Sequence, residues 1–283
     1  MPAITNVEFR RFSANHHNAQ RNWLLVILNT DNPNVSGIGD ASPMEDDDLV
    51  MAMIEAMVQK HLSGKDPLES EVHWTNLYQD FQARGGRIAS TALSGIDIAL
   101  WDLKGKLLDQ PVWKLLGGAH RKKIRVYANG WYTNPGTPEQ NAEEAKIVID
   151  KGYTALKFDP FGQDNFYKLS LQESQLAEER VAAVRESVGP FVDILVEAHA
   201  KFNVMNAIQI GKRLEEYRPL FYEEPVSQER VSELLEVRNK VNIPIATGER
   251  LYTKFPFAEI VDRHAVDVLQ PDIANAGGIT ELK

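Results

Sequence analysis

Glu197, Glu223, Glu249 and Asp272 each close a short apolar run, in the contexts LVEAH, FYEEP, ATGER and LQPD, at successive spacings of 26, 26 and 23 residues. Acids placed so regularly at the ends of consecutive strands converge on one edge of a sheet. Carboxylates brought that close without partners repel and raise one another's pKa values. A hard divalent cation relieves the conflict, and Mg²⁺ is the usual partner of an all-oxygen ligand set. It also leaves coordination sites for a bidentate substrate carboxylate. The plainer explanation is that acids after strands cap the following helix. Glu is a poor N-cap, however, and three Glu at the same place in consecutive units are hard to reach by capping alone. A cation shared by Glu197, Glu223 and Glu249 accounts for all three.

A repeating frame has to hold these acids. From Ile124 onward, apolar runs at Ile124–Asn129, Ala155–Asp159, Ile194–Glu197, Leu220–Glu223, Pro244–Glu249 and Val266–Asp272 alternate with helical stretches such as Gln172–Ser187, Val204–Glu216 and Val231–Asn239. Near-continuous apolar strands between helices imply a parallel sheet buried on both faces. The steady unit length favours a (β/α)₈ TIM barrel over a doubly wound sheet, and a barrel presents its chemistry at the C-terminal edge of its strands. Six strands are legible where eight are needed. The expected architecture is therefore an incomplete barrel of about six β/α units, in a shortened version of a longer protein. Upstream, Val7–Phe12 and Trp23–Leu28 read as strands and Ser36-Gly-Ile-Gly-Asp40 as a turn. Ala92, Ile96, Ala99, Leu100, Leu103 and Leu107 then recur at helical spacing, and Gly117-Gly118 closes the segment. Strands followed by helices without βα alternation make an α+β domain. The expected division is an α+β domain over 1–118 and a partial β/α barrel over 119–283.

Composition narrows the partners. The chain has 283 residues, 40 acidic against 31 basic, for a net charge of −9. That balance argues against a nucleic-acid backbone or an anionic membrane as the main partner, while local basic patches leave a small anionic substrate open. With no cysteine, thiol chemistry and Cys-ligated metals are excluded. The first residues, MPAITNVEFRRF, carry no apolar signal-peptide core, and a cytoplasmic protein is the default expectation. Gly277-Gly278 has no GxGxxG context and is not a nucleotide signal.

Several segments together carry a resemblance: STALSGIDIALWDLKGKLLDQPVWKLLGG (90–118), GYTALKFDP (152–160), FYEEP (221–225), PIATGER (244–250) and LQPDIANAGGIT (269–280). The sequence resembles the mandelate racemase-like branch of the enolase superfamily, with the EEP, GE and PD motifs at that family's spacing. The resemblance implies that Glu197, Glu223 and Glu249 bind Mg²⁺, with Glu197 standing where relatives often carry Asp. It also implies that the N-terminal domain caps the barrel mouth, that the substrate is a small carboxylate, and that the protein forms a homo-oligomer. The chemistry so implied is removal of a proton next to a carboxylate, with the metal stabilising the resulting dianion.

The acid and base groups decide the fate of that dianion. Many racemases of this branch carry Lys-x-Lys on the second barrel strand, whereas this chain has Lys157-Phe158-Asp159. Lys157 is then suited to neutralising the substrate carboxylate, its plainer alternative being an ion pair with Asp159 or another acid. His199, two residues beyond Glu197, falls on the same side of the strand by alternation. Its Glu-x-His resembles the Asp-x-His of galactonate and mannonate dehydratases, in which the histidine is the general acid. Asp272 corresponds to an aspartate that pairs with a histidine on the next strand, a partner absent from these residues. Asp159, Arg250, Trp131 and Tyr132 are candidate substrate contacts, although aromatics there commonly pack and Arg250 commonly pairs with acids. His16 and His17 are expected to be solvated. The leading expectation is a Mg²⁺-dependent acid-sugar dehydratase. A racemase, epimerase or cycloisomerase, a Schiff-base lyase using Lys157, and an inactive shortened barrel stay open beside it.

Overall fold

A computed structural model describes residues 2–16, 19–42, 46–81, 86–162 and 169–283. His17 lies outside them, and His16 is described only by its backbone. Two compact units divide the chain: residues 1–122 with 251–256 and 271–283, and residues 123–250 with 257–270.

The first unit opens on an antiparallel sheet of β1 (Ile4–His16), β2 (Ala19–Thr30) and β3 (Ser36–Asp40), in that order. Leu24, Val26 and Leu28 alternate along β2 and are fully buried, the period expected of a strand with one covered face. Helices α1 (Asp47–Met57), α2 (Ser70–Phe81), α3 (Arg87–Leu107) and α4 (Val112–Leu115) come next. The apolar positions of α3, Ala92, Ile96, Ala99, Leu100 and Leu103, enter the same core as those of β2.

The glycine-rich segment predicted as a turn is instead strand β3, paired with β2 from Ser36↔Asn29 to Leu25↔Asp40. Its glycines answer to packing. A Cβ on Gly37 would stand 2.1 Å from the Ala99 carbonyl oxygen, and one on Gly39 would stand 2.0 Å from that of Gly95. The α3 backbone therefore lies directly on β3. The polar face of α3 holds the residues near 280. Gly277 N–H donates to Ser94 Oγ at 2.8 Å, and Thr280 N–H donates to Asp97 Oδ2 at 2.9 Å. Trp74 Nε1, on α2, donates to the Gly277 carbonyl at 2.7 Å. Burial pushes the Asp97 carboxyl up to about 6, against the pull of its Thr280 hydrogen bonds. Gly278, at φ +85°, has no room for a side chain beside Asp97, so the glycine pair serves backbone packing.

Along the rest of the chain α5 (Pro138–Asp150), β4 (Ala155–Phe158), α6 (Leu171–Val188), β5 (Asp193–Glu197), α7 (Val204–Leu214), β6 (Phe221–Glu223), α8 (Val231–Arg238), β7 (Ile245–Thr247), α9 (Lys254–Asp262), β8 (Val268–Leu269) and α10 (Gly278–Leu282) alternate. Strands β4 to β8 form a five-stranded parallel sheet in sequential order, the arrangement of a partial β/α barrel. Capping boxes start α5 at Thr137 and α6 at Ser170. The run Ile124–Asn129, predicted as a further strand, contributes a single bridge, Ala128 to Leu156. Ile124 and Val126 are 79% and 63% exposed: with no further strand partner among the described residues, this apolar run is not a buried strand. One face of the sheet carries Ala155, Leu195, Phe221 and Ala246 in a small apolar cluster. Two residues further along, the same face presents Lys157, Glu197 and Glu223 at the strand ends. Among the described residues, no helix is long and apolar enough to cross a membrane.

Candidate metal and acid–base site

Sheet register sets Glu197 directly beside Glu223. Glu249 comes after β7 and Gly248, whose φ of +149° and contact with the Gln270 backbone admit only glycine. One carboxylate oxygen from each glutamate comes within 4.8 Å of the others. Lys157 Nζ donates to Glu197 Oε2 at 2.9 Å and to Glu223 Oε2 at 2.6 Å. All three side chains of that cluster are buried. Lys157 thus pairs with the two glutamates, and not with Asp159.

Burial alone would lower the Lys157 ammonium, but the charges of Glu197 and Glu223 outweigh it and raise its pKa. Burial also works to raise Glu197, which the charges of Lys157 and His199 hold low. Glu223 goes the other way, pushed up by burial and then by the charge of Glu197. Three carboxylates meet two fixed cations, the Lys157 ammonium at Glu197 and Glu223 and the Arg250 guanidinium at Glu249, and so leave one negative charge uncompensated. The three oxygens lie near enough to one another to share one ion, and their all-oxygen donors and remaining negative charge fit a hard divalent cation.

A second tier forms around Asp159, one residue past β4 and 4% exposed. Asp159 Oδ1 accepts the Phe161 N–H at 2.8 Å. Its Oδ2 accepts from the Lys201 ammonium and lies 2.8 Å from His199 Nδ1. His199 arrives by a turn and not by strand alternation: β5 ends at Glu197, and His199 and Ala200 have φ of +49° and +56°. The His199 N–H donates back to Glu197 Oε1 at 2.9 Å, so one residue touches both tiers. Burial lowers the imidazole's pKa, but the Asp159 bond and the charge of Glu197 prevail and raise it. Its side chain is 39% exposed, the most accessible group of the cluster.

The remaining candidates fall in several places. Arg250 Nη1 donates to Glu249 Oε1 at 2.9 Å, and its Nε lies 3.1 Å from Glu224 Oε2. Trp131 and Tyr132 pack on Phe158 with ring centroids 5.5 and 5.9 Å away, and Trp131 Nε1 donates to the Lys157 carbonyl at 2.8 Å. Asp272 belongs to the first unit, where it accepts from Ala274 N–H at 2.9 Å and Asn275 Nδ2 at 3.1 Å. Two groups are not evident from the sequence. Glu224 is fully buried, neither of its oxygens has a hydrogen bond among the described residues, and burial pushes its carboxyl up to about 8 despite Arg250. Lys201, 3% exposed, extends the two-residue step Glu197-x-His199-x-Lys201, which is the one sequence signal that points to it.

Residues 7–117 match the mandelate racemase / muconate lactonizing enzyme N-terminal domain, and residues 140–283 match the enolase C-terminal domain-like family. A D-gluconate dehydratase of Thermoproteus tenax is 43% identical over 91% of this chain, and a D-gluconate/D-galactonate dehydratase of Picrophilus torridus is 37% identical over 92%. The chain spans 51% of the first and 66% of the second. Among solved structures, a member of the enolase superfamily from Salmonella Typhimurium is similar at TM-score 0.91 and 35% identity, covering 100% of this chain and 76% of that one. A mandelate racemase/muconate lactonizing enzyme from Sulfitobacter sp. is similar at TM-score 0.91 and 32% identity, covering 100% and 74%.

Proposed function

This chain belongs to the mandelate racemase / muconate lactonizing enzyme family of the enolase superfamily, and on that premise we propose that it removes water from a sugar acid with Mg²⁺ held by Glu197, Glu223 and Glu249. D-gluconate and D-galactonate, which the names of its relatives carry, are the first candidate substrates. Held by these three glutamates, the ion would supply Lewis-acid stabilisation of charge developing on the substrate carboxylate. Lys157, kept charged by its two glutamates, adds to that field and is poorly suited to accept a proton. The α-proton therefore falls to a group other than Lys157. His199 hands a proton to the departing β-hydroxyl: Asp159 fixes Nδ1, and Nε2 has no protein partner among the described residues. Asp159 in place of a second lysine removes the lysine base from that face of the site. We assign Arg250, Trp131 and Tyr132 to substrate contact.

The observation that carries this reading is the Asp159–His199 pair beside the three glutamates. The test is a screen of aldonic and uronic acids for 2-keto-3-deoxy products in the presence of Mg²⁺. Product from D-gluconate or D-galactonate, lost on chelation and restored by Mg²⁺, is expected. Turnover that survives thorough chelation would sink the metal-dependent mechanism. Deuterium exchange at the α-carbon without dehydrated product would favour a racemase or epimerase.

A further inference from the structure

Asp159 Oδ2 is a shared acceptor. Both the Lys201 ammonium and His199 Nδ1 approach it, while Oδ1 is committed to the Phe161 N–H. Lys201 is held at both ends. Its backbone N–H donates to the Ala198 carbonyl at 3.1 Å, across the turn in which His199 and Ala200 have positive φ. Its ammonium bonds Asp159 and the Gly162 carbonyl. The side chain thus ties the chain leaving β4 to the chain leaving β5, the two segments that carry Asp159 and His199. Among the described residues it makes no ion pair with Glu197, Glu223 or Glu249, so it belongs to the second tier alone.

We infer that Lys201 is a positioning residue, which orients the Asp159 carboxylate and through it fixes the His199 ring. A carboxylate buried to this depth turns or draws in water when its charged partner is removed. The imidazole would then lose the one hydrogen bond that sets its plane and the nitrogen it leaves free. Group orientation of this kind is worth about 10²-fold in rate for a displacement of about 1 Å. The effect on turnover rests on the proposed dehydratase activity; the effect on the ring does not.

The experiment is histidine-selective ¹⁵N NMR of the full chain with Mg²⁺, together with turnover of D-gluconate and D-galactonate. The protein should show one slowly exchanging Nδ1–H resonance, identified by its absence from H199Q. Lys201→Met should lose that resonance, and kcat should fall about 10²-fold with KM and Mg²⁺ affinity little changed. Lys201→Arg should keep the resonance and most of the turnover. A K201M protein that melts cooperatively and retains the resonance would overturn the assignment. Should K201M not fold, K201R decides, because a folded K201R lacking the resonance is equally fatal. If the resonance behaves as expected while the wild-type chain dehydrates neither acid, the positioning role stands and the dehydratase reading falls.

Discussion

Lys157→Met leaves two deeply buried carboxylates without their shared cation. At 2.6 and 2.9 Å and an effective dielectric of about 20, each ion pair contributes about 6 kcal/mol of gross attraction. Desolvation and the Glu197–Glu223 repulsion cancel much of it. Removing one partner of such a buried pair costs about 3–5 kcal/mol net. The folded pKa of Lys157 is raised, so its contribution is fully present below the unfolded lysine value of about 10.4 and is lost only at higher pH. A melt at neutral pH therefore reads all of it. For a unit of this size, about 2–4 °C accompanies each kcal/mol, and the chelated K157M protein should melt about 10 °C below wild type. Mg²⁺ should restore part of the loss, since a ligand at about 100 times its Kd adds about 2.7 kcal/mol. Its stabilising shift should be larger in K157M than in wild type, because no ammonium competes for the two carboxylates. Differential scanning calorimetry with chelator and with Mg²⁺ measures both quantities. If chelated K157M melts within about 2 °C of wild type, the counter-ion role assigned to Lys157 is wrong.

The same geometry sets three other outcomes. Glu249→Gln removes one charged donor from the cluster and should weaken Mg²⁺ binding by at least tenfold in isothermal titration calorimetry, leaving the chelated melt little changed because this side chain is partly exposed. Asp97 has a folded pKa of about 6, above the unfolded value of about 3.9, so it binds more protons when folded, and its contribution falls as pH rises from about 4 to about 6. Asp97→Asn should abolish about 3 kcal/mol of that pH dependence, visible as a flatter profile of urea midpoints between those pH values. Gly39→Ala places a methyl 2.0 Å from the Gly95 carbonyl oxygen and should destabilise the first unit by about 1–3 kcal/mol in chemical denaturation.

Residue types and their spacing set the site's ingredients and their order. The three glutamates are legible because a parallel β/α repeat returns to the same sheet edge once per unit, so equal spacing becomes spatial convergence. Lys157 is legible for the same reason, as it lies near the end of its own strand. Beyond the strand ends the two-residue period no longer applies. His199 reaches its place through a turn with positive φ, and the bonds of Lys201 and the burial of Glu224 depend on which chain passes alongside. The glycines of Ser36–Asp40 show the same limit. A glycine needed for a turn and one needed for close packing look alike along the chain, and only the backbone of α3, some sixty residues away in sequence, tells them apart. Ile124–Asn129 is the converse case, an apolar run with the composition of a strand that, among the described residues, pairs only at Ala128. Tertiary structure alone decided which acid each cation meets: Lys157 went to Glu197 and Glu223, and Asp159 went to Lys201 and His199. Ion pairing depends on distance and burial between segments, and neither is written in the local order of residues.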